Sequence, residues 1–169
     1  RFHVWMLRHY TKWVEIARLA PEQWSPRVAM LEDEEQKSPF IDYPIGQTVR
    51  KLASPEQSLG AVLQHLALTR SSLVALAVER YRLAHGEWPR DLAALLPTYL
   101  KEVPTDPFDG QPIRFRRTAE GVVIYCVGLD RTDNQGNIHR TGPLTDGLDV
   151  GFQLWDLAKR RQPKETGSP

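Results

Sequence analysis

A helix-ending motif followed by a hairpin-starting motif constrains the fold of this chain more than any other feature. The first motif reads YRLAHGEWP, in which Gly86 supplies a left-handed helix stop and Pro89 prevents the helix from continuing. The second, Val103 to Arg116, reads VPTDPFDGQPIRFR and leads from turn residues into a strand. Together the motifs predict an α+β domain in which a long N-terminal helix packs on a small antiparallel β-sheet.

The long helix is predicted to begin at Ser54 and to end near His85. Ser54 is the expected N-cap, with Pro55 at the first helical position and Gln57 three residues after the cap. About thirty helical residues span roughly 45 Å, which is more than a compact domain of this size needs. The predicted apolar stripe consists of Leu59, Val62, Leu63, Leu66, Leu73, Val74, Ala77, Tyr81 and Ala84.

Two β-branched and aromatic runs, Ile113 to Arg117 and Val122 to Val127, predict a hairpin whose loop contains Gly121. The second run is apolar at consecutive positions, so both of its faces should be covered. After a long polar loop, Val150 to Trp155 is expected either to add a third strand or to pack on the helix.

The chain divides into a helical segment with a connector (1–53), the α+β domain (54–156) and a flexible tail (157–169). Phe2 to Leu19 predicts an amphipathic helix whose aromatic stripe packs in a core or interface rather than on a membrane surface. Pro26 to Gln36 predicts a second short helix, and Ser38 to Gly46 an extended connector.

The balance of charge limits the possible partners. Lys and Arg number 22 against 21 for Asp and Glu, so no global field attracts nucleic acid or an anionic membrane. Arg114, Arg116 and Arg117 are expected to form a solvated, charge-protected edge strand rather than a nucleic-acid face. No uninterrupted apolar run is long enough to span a membrane, so an anchor is expected either upstream of Arg1 or on a partner.

Over roughly residues 73–155 the two motifs resemble the extracellular domain of the major pseudopilin of type II secretion systems. That family has a long helix ending near Tyr...Gly-x-x-Pro, followed by a Pro-Asp-Pro-aromatic-Gly turn into a hairpin. The resemblance implies a bacterial, non-enzymatic, extracytoplasmic structural subunit, periplasmic or at the cell surface. It also implies membrane association and assembly with other protein subunits through the long helix.

The glycine-rich loop from Asp130 to Asp149 is the candidate metal site, with Asp130, Asp133, Asp146 and Asp149 as candidate ligands. Calcium takes 6 to 8 oxygen ligands, and glycines let a chain fold closely around the ion. These residue types also form ordinary turns. The resemblance favours calcium, because the family's loop follows a Leu-Gly-x-Asp-type turn and holds a structural calcium. Arg131 replaces the glycine expected after Asp130, and 137–145 looks like an insertion.

Two other classes of function stay open. An accessory protein-binding subunit would dock the Phe2 to Leu19 helix and the Trp24 region onto a larger, membrane-associated complex. A hydrolase would use a histidine and a carboxylate, with candidate pairs His85–Glu87 and His139–Asp133. No nucleophile or metalloprotease motif accompanies them, and His85 is expected to serve the helix C-terminus instead.

Two further side-chain expectations concern acidic and thiol groups. Asp106 and Asp109 are expected to fold back on backbone amides in consecutive turns, which explains them better than a glycosidase pair. The single cysteine, Cys126, is expected to be a buried structural thiol.

Overall fold

The computed structural model describes residues 2–37, 55–138 and 148–160. Within these ranges lie the helices α1 (Phe2–Ala17), α2 (Trp24–Gln36) and α3 (Pro55–His85), and the strands β1 (Arg114–Thr118), β2 (Gly121–Cys126) and β3 (Val150–Trp155). Short 3₁₀ turns occur at Pro21–Gln23, Leu92–Leu95 and Leu157–Lys159. This arrangement confirms the predicted α+β class.

Helix α3 ends where the sequence predicts. Gly86 has a φ of 79°, and its N–H donates to the carbonyl of Arg82 at 2.8 Å. Glycine adopts this left-handed conformation without steric cost, so it closes the last helical turn. The sequence was expected to contain no segment able to span a membrane, but Leu59–His85 is long and apolar enough to do so by length and composition. Core helices of soluble proteins pass the same test.

The predicted apolar stripe of α3 is only partly right. Leu63, Val74 and Ala77 are buried as expected, but Val62 and Leu73 are exposed. Ala84 is exposed as well. The buried face instead follows a series centred on small side chains: Leu63, Ala67, Ser71, Val74, Val78 and Arg82. These positions are three or four residues apart and therefore lie on one side of the helix, whereas Val62 and Leu73 lie on the other side and face solvent.

The sheet has the order β1-β2-β3, and both pairs are antiparallel. Phe115 pairs with Ile124, which pairs with Phe152 on the other side. Residues 150–155 are therefore the third strand that the sequence allowed, and this strand also contacts α3. All six residues of β2 are buried, which confirms that both of its faces are covered.

Different parts of the chain cover the two faces of β2: helix α3 covers one, and the loop after β2 covers the other. Val122, Ile124 and Cys126 belong to the hydrophobic core formed with α3. Val123 and Tyr125 alternate onto the other face. There the loop after β2 lies against them, because a Cβ built at Gly136 would fall 3.1 Å from Val123 Cγ1 and 3.2 Å from Tyr125 Cε1.

The N-terminal helices pack onto the α+β domain. The buried residues Trp13, Ile16, Trp24 and Leu31 belong to the same hydrophobic cluster as the core of that domain. Trp13 of the predicted aromatic stripe of α1 is therefore packed in this core beside Ile16, whereas Trp5 and His9 are only partly buried. The predicted connector Ser38 to Gly46 lies outside the described residues.

Glu22, in the turn between α1 and α2, makes the polar part of this contact. Its Oε1 accepts hydrogen bonds from Arg70 Nη1 at 2.6 Å and from Thr105 Oγ1 at 2.9 Å. Arg70 Nη1 also donates to the carbonyl of Thr105 at 2.8 Å. One carboxylate therefore links the helical segment to both α3 and the turn segment before β1.

The chain after β3 is tied back to α3. Arg160 Nη1 and Nη2 donate to the two carboxylate oxygens of Glu79 at 3.0 and 2.9 Å. Trp88 Nε1 donates to Asp156. Residues 157–160 of the predicted flexible tail are thus fixed on the domain, and the rest of that tail lies outside the described residues.

Candidate functional site

The segment before β1 is built around two carboxylates. Asp106 is fully buried, and its Oδ1 accepts a hydrogen bond from the N–H of Phe108 at 2.9 Å. Asp109 Oδ1 accepts from the N–H of Gln111 at 3.0 Å. These bonds confirm that both carboxylates fold back on backbone amides. The second oxygens of both carboxylates remain available for other partners.

Arg114, the first residue of β1, donates hydrogen bonds to these second oxygens. Its Nη1 donates to Asp106 Oδ2 at 2.8 Å, and its Nη2 donates to Asp109 Oδ2 at 2.5 Å. Its Nε lies 3.5 Å from Asp133 Oδ2, in the loop after β2. Arg114 was expected only as a charged edge-strand residue. A signal for its role was present, because it follows the two turn carboxylates by eight and five positions.

Asp106 also reaches the end of the central strand. Its Oδ2 accepts from the N–H of Val127 at 2.8 Å. Burial raises the pKa of Asp106, whereas the Phe108 and Val127 amides and the positive charge of Arg114 act in the opposite direction. This buried carboxylate therefore holds the turn segment against the beginning of the loop after β2.

The loop after β2 starts with backbone that favours glycine. Gly128 has a φ of 46°, and a Cβ at this position would lie 2.4 Å from the carbonyl oxygen of Leu148. The two ends of the loop therefore touch at a position where only glycine fits. Arg131 and Gln135 are also left-handed, with φ of 54° and 59°, although neither is glycine. Left-handed φ is sterically unfavourable for such residues, so other contacts must stabilise this path.

Asp133 provides one set of those contacts. Its Oδ1 accepts from the Tyr125 hydroxyl at 3.1 Å and from the N–H of Gln135 at 2.8 Å. Burial, reinforced by the hydrogen bond to Asp133, raises the pKa of Tyr125 to about 12. The phenol therefore remains a donor at neutral pH and holds the loop on β2.

Asp149 provides the second set. Its side chain is buried, Oδ2 accepts from the N–H of Gly136 at 2.7 Å, and Oδ1 accepts from the N–H of Asn134 at 3.3 Å. Its own N–H donates to the carbonyl of Asn137 at 3.1 Å. Burial raises the pKa of Asp149, while the two loop amides act to lower it. Asp149, the residue before β3, thus fixes the loop by both its side chain and its backbone.

The four predicted calcium ligands have different environments. Asp133 and Asp149 are held by protein donors, whereas Asp130 is exposed and its Oδ1 accepts from the N–H of Thr132 at 3.1 Å. Asp146 lies outside the described residues. Within residues 2–37, 55–138 and 148–160, no three His, Cys, Asp or Glu side chains are grouped to hold a metal ion. Calcium binding by this loop therefore stays a prediction.

An open polar cleft of about 760 Å³ lies beside the loop. The cleft is lined by Val123 of β2 and by residues of the loop, of β1 and of β3. Arg116, predicted to be solvated on the edge strand, donates from Nη1 to the carbonyl of Gln135 at 2.7 Å. The lining also includes amide and hydroxyl side chains (Thr118, Asn134, Asn137 and Gln153) and the carboxylates of Glu120 and Asp133.

The histidine predicted at the end of α3 satisfies a helix carbonyl. His85 Nδ1 donates to the carbonyl of Tyr81 at 2.9 Å, and its ring stacks on the Tyr81 ring with centroids 4.0 Å apart. This confirms its expected role at the helix C-terminus. His85 and Glu87 are both exposed, and the described structure contains no hydrogen bond between them. His139, of the second candidate pair, lies outside the described residues.

The prediction for the cysteine is confirmed. Cys126 is fully buried, and its Sγ lies 3.7 Å from the hydroxyl oxygen of Ser71 on α3. Burial raises the pKa of the thiol to about 12, which keeps it protonated at neutral pH. It packs between helix and sheet as a small apolar group.

Helix α3 presents large apolar side chains to solvent on the side away from the sheet. Leu76 and Leu83 are 67% and 70% exposed, and Val62 and Leu73 are also exposed. The spacings between these positions are close to whole numbers of helical turns, so the four side chains form one stripe along the helix. An exposed apolar stripe of this length is typical of an interaction surface.

Helix α1 has a shorter exposed stripe. Val4, Leu7 and Val14 are each about half exposed and lie at intervals of three and seven residues. A groove of about 390 Å³ between α1 and α2 adds apolar surface from Ile16, Leu19 and Met30, with charged residues at its rim. The N-terminal helices therefore offer a second surface for a protein partner.

Comparison with known proteins does not identify a relative: no family model matches the chain, and no curated protein or solved structure is significantly similar to it.

Proposed function

We propose that this chain is a non-enzymatic, pseudopilin-like structural subunit that assembles with other protein subunits through helix α3. The observation that carries the proposal is that this 31-residue helix has apolar residues both on its buried side and on its solvent-exposed side. One side packs on a three-stranded antiparallel sheet, and the other exposes Leu73, Leu76 and Leu83. Single exposed leucines are common on protein surfaces, but several on one side of a helix form a contiguous apolar stripe, which is typical of an interaction surface.

The loop after β2 gives independent support. The pseudopilin resemblance expects glycine after Asp130, and Arg131 at that position has a left-handed φ of 54°. The backbone thus has the conformation that glycine would favour even though the residue differs. An extracytoplasmic, membrane-associated location belongs to the same proposal.

Calcium is the ion that the resemblance implies for this loop, with Asp130 and Asp146 as the ligands to test first. A metal that binds only the folded protein must raise its melting temperature. We expect a Ca²⁺-selective rise over the EDTA-treated chain, reduced by Asp130→Asn and by Asp146→Asn. Equal melting temperatures with EDTA, Ca²⁺ and Mg²⁺ would remove calcium from the proposal without affecting assembly through α3.

Sedimentation of the 169-residue chain over a range of concentrations tests assembly. We expect self-association that is lost in the double variant Leu76→Glu/Leu83→Glu, because two buried charges at an interface are strongly unfavourable. Leu157→Glu is the matched control, since Leu157 is similarly exposed but lies outside α3. Circular dichroism verifies that each variant is folded. Unchanged association in the double variant would contradict the proposal.

The second candidate is an accessory protein-binding subunit, favoured by the exposed Val4, Leu7 and Val14 of α1. In this case the purified chain would remain monomeric over the concentration range, because its partner is a different protein. The same sedimentation experiment therefore separates the two candidates: self-association lost in the α3 double variant supports the first, and a monomer at all concentrations favours the second.

A further inference from the structure

Three carboxylates from two separate segments converge on a single guanidinium. We propose that Arg114 is a built-in cation that joins the turn segment before β1 to the loop after β2, and that this junction closes without a metal ion. The inference depends only on contacts among described residues and not on the proposed assembly. It places one of the four candidate calcium ligands, Asp133, beside a side-chain cation of β1.

The geometry of the contacts is specific to arginine. Asp106, Asp109 and Asp133 each meet a different nitrogen of Arg114, at 2.8, 2.5 and 3.5 Å respectively. A guanidinium is planar and always charged, and it directs five N–H donors in fixed directions. Lysine carries one compact charge on a flexible stem, so it cannot reproduce this division among three carboxylates.

Each of these carboxylates has a second attachment that transmits the junction to the backbone. Asp106 accepts from Phe108 and Val127, whereas Asp133 accepts from Gln135 and from the Tyr125 hydroxyl. Arg114 is therefore the centre of a network that includes both acidic segments and the end of β2. Without it, Asp106 would be a fully buried carboxylate with no opposite charge against it.

The contact of Arg114 with Asp133 in the loop can be tested separately from its contacts in the turn segment, because the carboxylates differ in solvent exposure. The Asp133 side chain is 48% exposed, whereas Asp106 is inaccessible to solvent. Substitution of Asp133 should therefore loosen the loop without unfolding the domain. Substitution of Arg114 should affect both segments together.

The test compares Arg114→Met and Arg114→Lys with Arg117→Met, an exposed arginine on the same strand, in the full chain with EDTA present. We expect Arg114→Met to lower the melting temperature by about 10 °C, and Arg117→Met to lower it by about 1 °C or less. Hydrogen exchange should accelerate together at the amides of Gln111 and Gln135 in Arg114→Met. Arg114→Lys should recover only part of the loss.

Two milder variants keep the proposal testable if Arg114→Met does not fold. Asp133→Asn should accelerate exchange at Gln135 while leaving Gln111 unchanged. In a double-mutant cycle, Asp133→Asn and Arg114→Lys should be non-additive, because both act on one contact.

Three results would each overturn the proposal. The first is additivity of Asp133→Asn and Arg114→Lys. The second is acceleration in Arg114→Met at the turn amides alone. The third is restoration by Ca²⁺ of wild-type exchange at both Gln111 and Gln135 in Arg114→Met, since a metal would then close the junction without the guanidinium. None of these experiments measures self-association, so their failure is distinct from failure of the proposed function.

Discussion

The two faces of strand β2 are both buried, yet they are stabilised by different interactions. On one face Val122, Ile124 and Cys126 pack against α3 in a continuous apolar core. On the other face Val123 and Tyr125 are covered by a loop that has few apolar residues. That loop depends on the carboxylates of Asp133 and Asp149.

The difference shows how a polar segment can serve as a cover for a sheet. The carboxylates of Asp133 and Asp149 accept backbone N–H groups of the loop, so the loop gains order from hydrogen bonds rather than from apolar packing. Such bonds depend on direction, and a single lost acceptor leaves several donors without a partner. The helix-covered face is expected to respond to volume, and the loop-covered face to charge and backbone conformation.

The largest effect should come from a matched pair of substitutions on the two faces. We expect Val122→Ala to reduce the free energy of unfolding by about 2–3 kcal/mol, because tightly packed neighbours cannot fill the cavity. Val123→Ala should cost less than half as much, since Val123 lines an open cleft into which neighbours and water can move. Denaturant unfolding of both variants measures the difference. Equal losses would show that the loop packs as tightly as the helix.

The second effect concerns the carboxylate that holds the loop. Asp149→Ala should cost about 2 kcal/mol, because it leaves the amides of Asn134 and Gly136 without their acceptor. Asp130→Ala is the control from the same loop and should change the free energy of unfolding by less than about 0.5 kcal/mol. Urea unfolding in EDTA provides both values. A large loss for Asp130→Ala would instead indicate that its side chain has an essential partner.

The contributions of Glu79 on the helix side and of Asp149 on the loop side to the free energy of unfolding should change in opposite directions with pH. On the helix side, hydrogen bonds from Arg82 and Arg160 lower the pKa of Glu79 to about 2, below its ordinary value of 4.5. Its contribution is therefore present above about pH 4.5 and is lost as the pH falls toward 2. Burial raises the pKa of Asp149, so its contribution is greatest at low pH and decreases as the pH rises through that raised value.

Stability measurements from pH 7 to pH 2 test this contrast. Glu79→Gln should be destabilised by on the order of 1 kcal/mol at pH 7, and the difference from wild type should disappear near pH 2. Arg80→Gln, on the same helix, should show no such convergence. A constant difference between wild type and Glu79→Gln across the range would mean that the bonds to arginine do not depend on the charge of Glu79.

The smallest expected effect is a gain in stability. Arg131 has a left-handed φ of 54°, so Arg131→Gly should relieve local strain and stabilise the fold by about 0.5–1 kcal/mol. Arg131→Ala is the control, because alanine removes the long side chain but keeps the strained backbone. If both variants gain equally, the benefit comes from loss of the arginine side chain rather than from backbone conformation.

Sequence reasoning succeeded where the determinants are local. The Gly86 helix stop, the β1–β2 hairpin and the turns at Asp106 and Asp109 depend on residues only a few positions apart. It was less accurate for α3, because periodicity marks Val62 and Leu73 as apolar without showing which side the sheet occupies. Likewise, the acidic loop was identified, but the protein donors that hold Asp133 and Asp149 were not.

The sequence by itself determined the α+β class, the element boundaries to within a few residues and the burial of Cys126, because propensities and turn chemistry act over short distances. The tertiary structure decided which face of α3 is covered, that residues 150–155 form the third strand, and that Arg114 joins Asp106, Asp109 and Asp133. Those outcomes depend on contacts between residues far apart in the chain, and such contacts arise only when helix, sheet and loop are packed together.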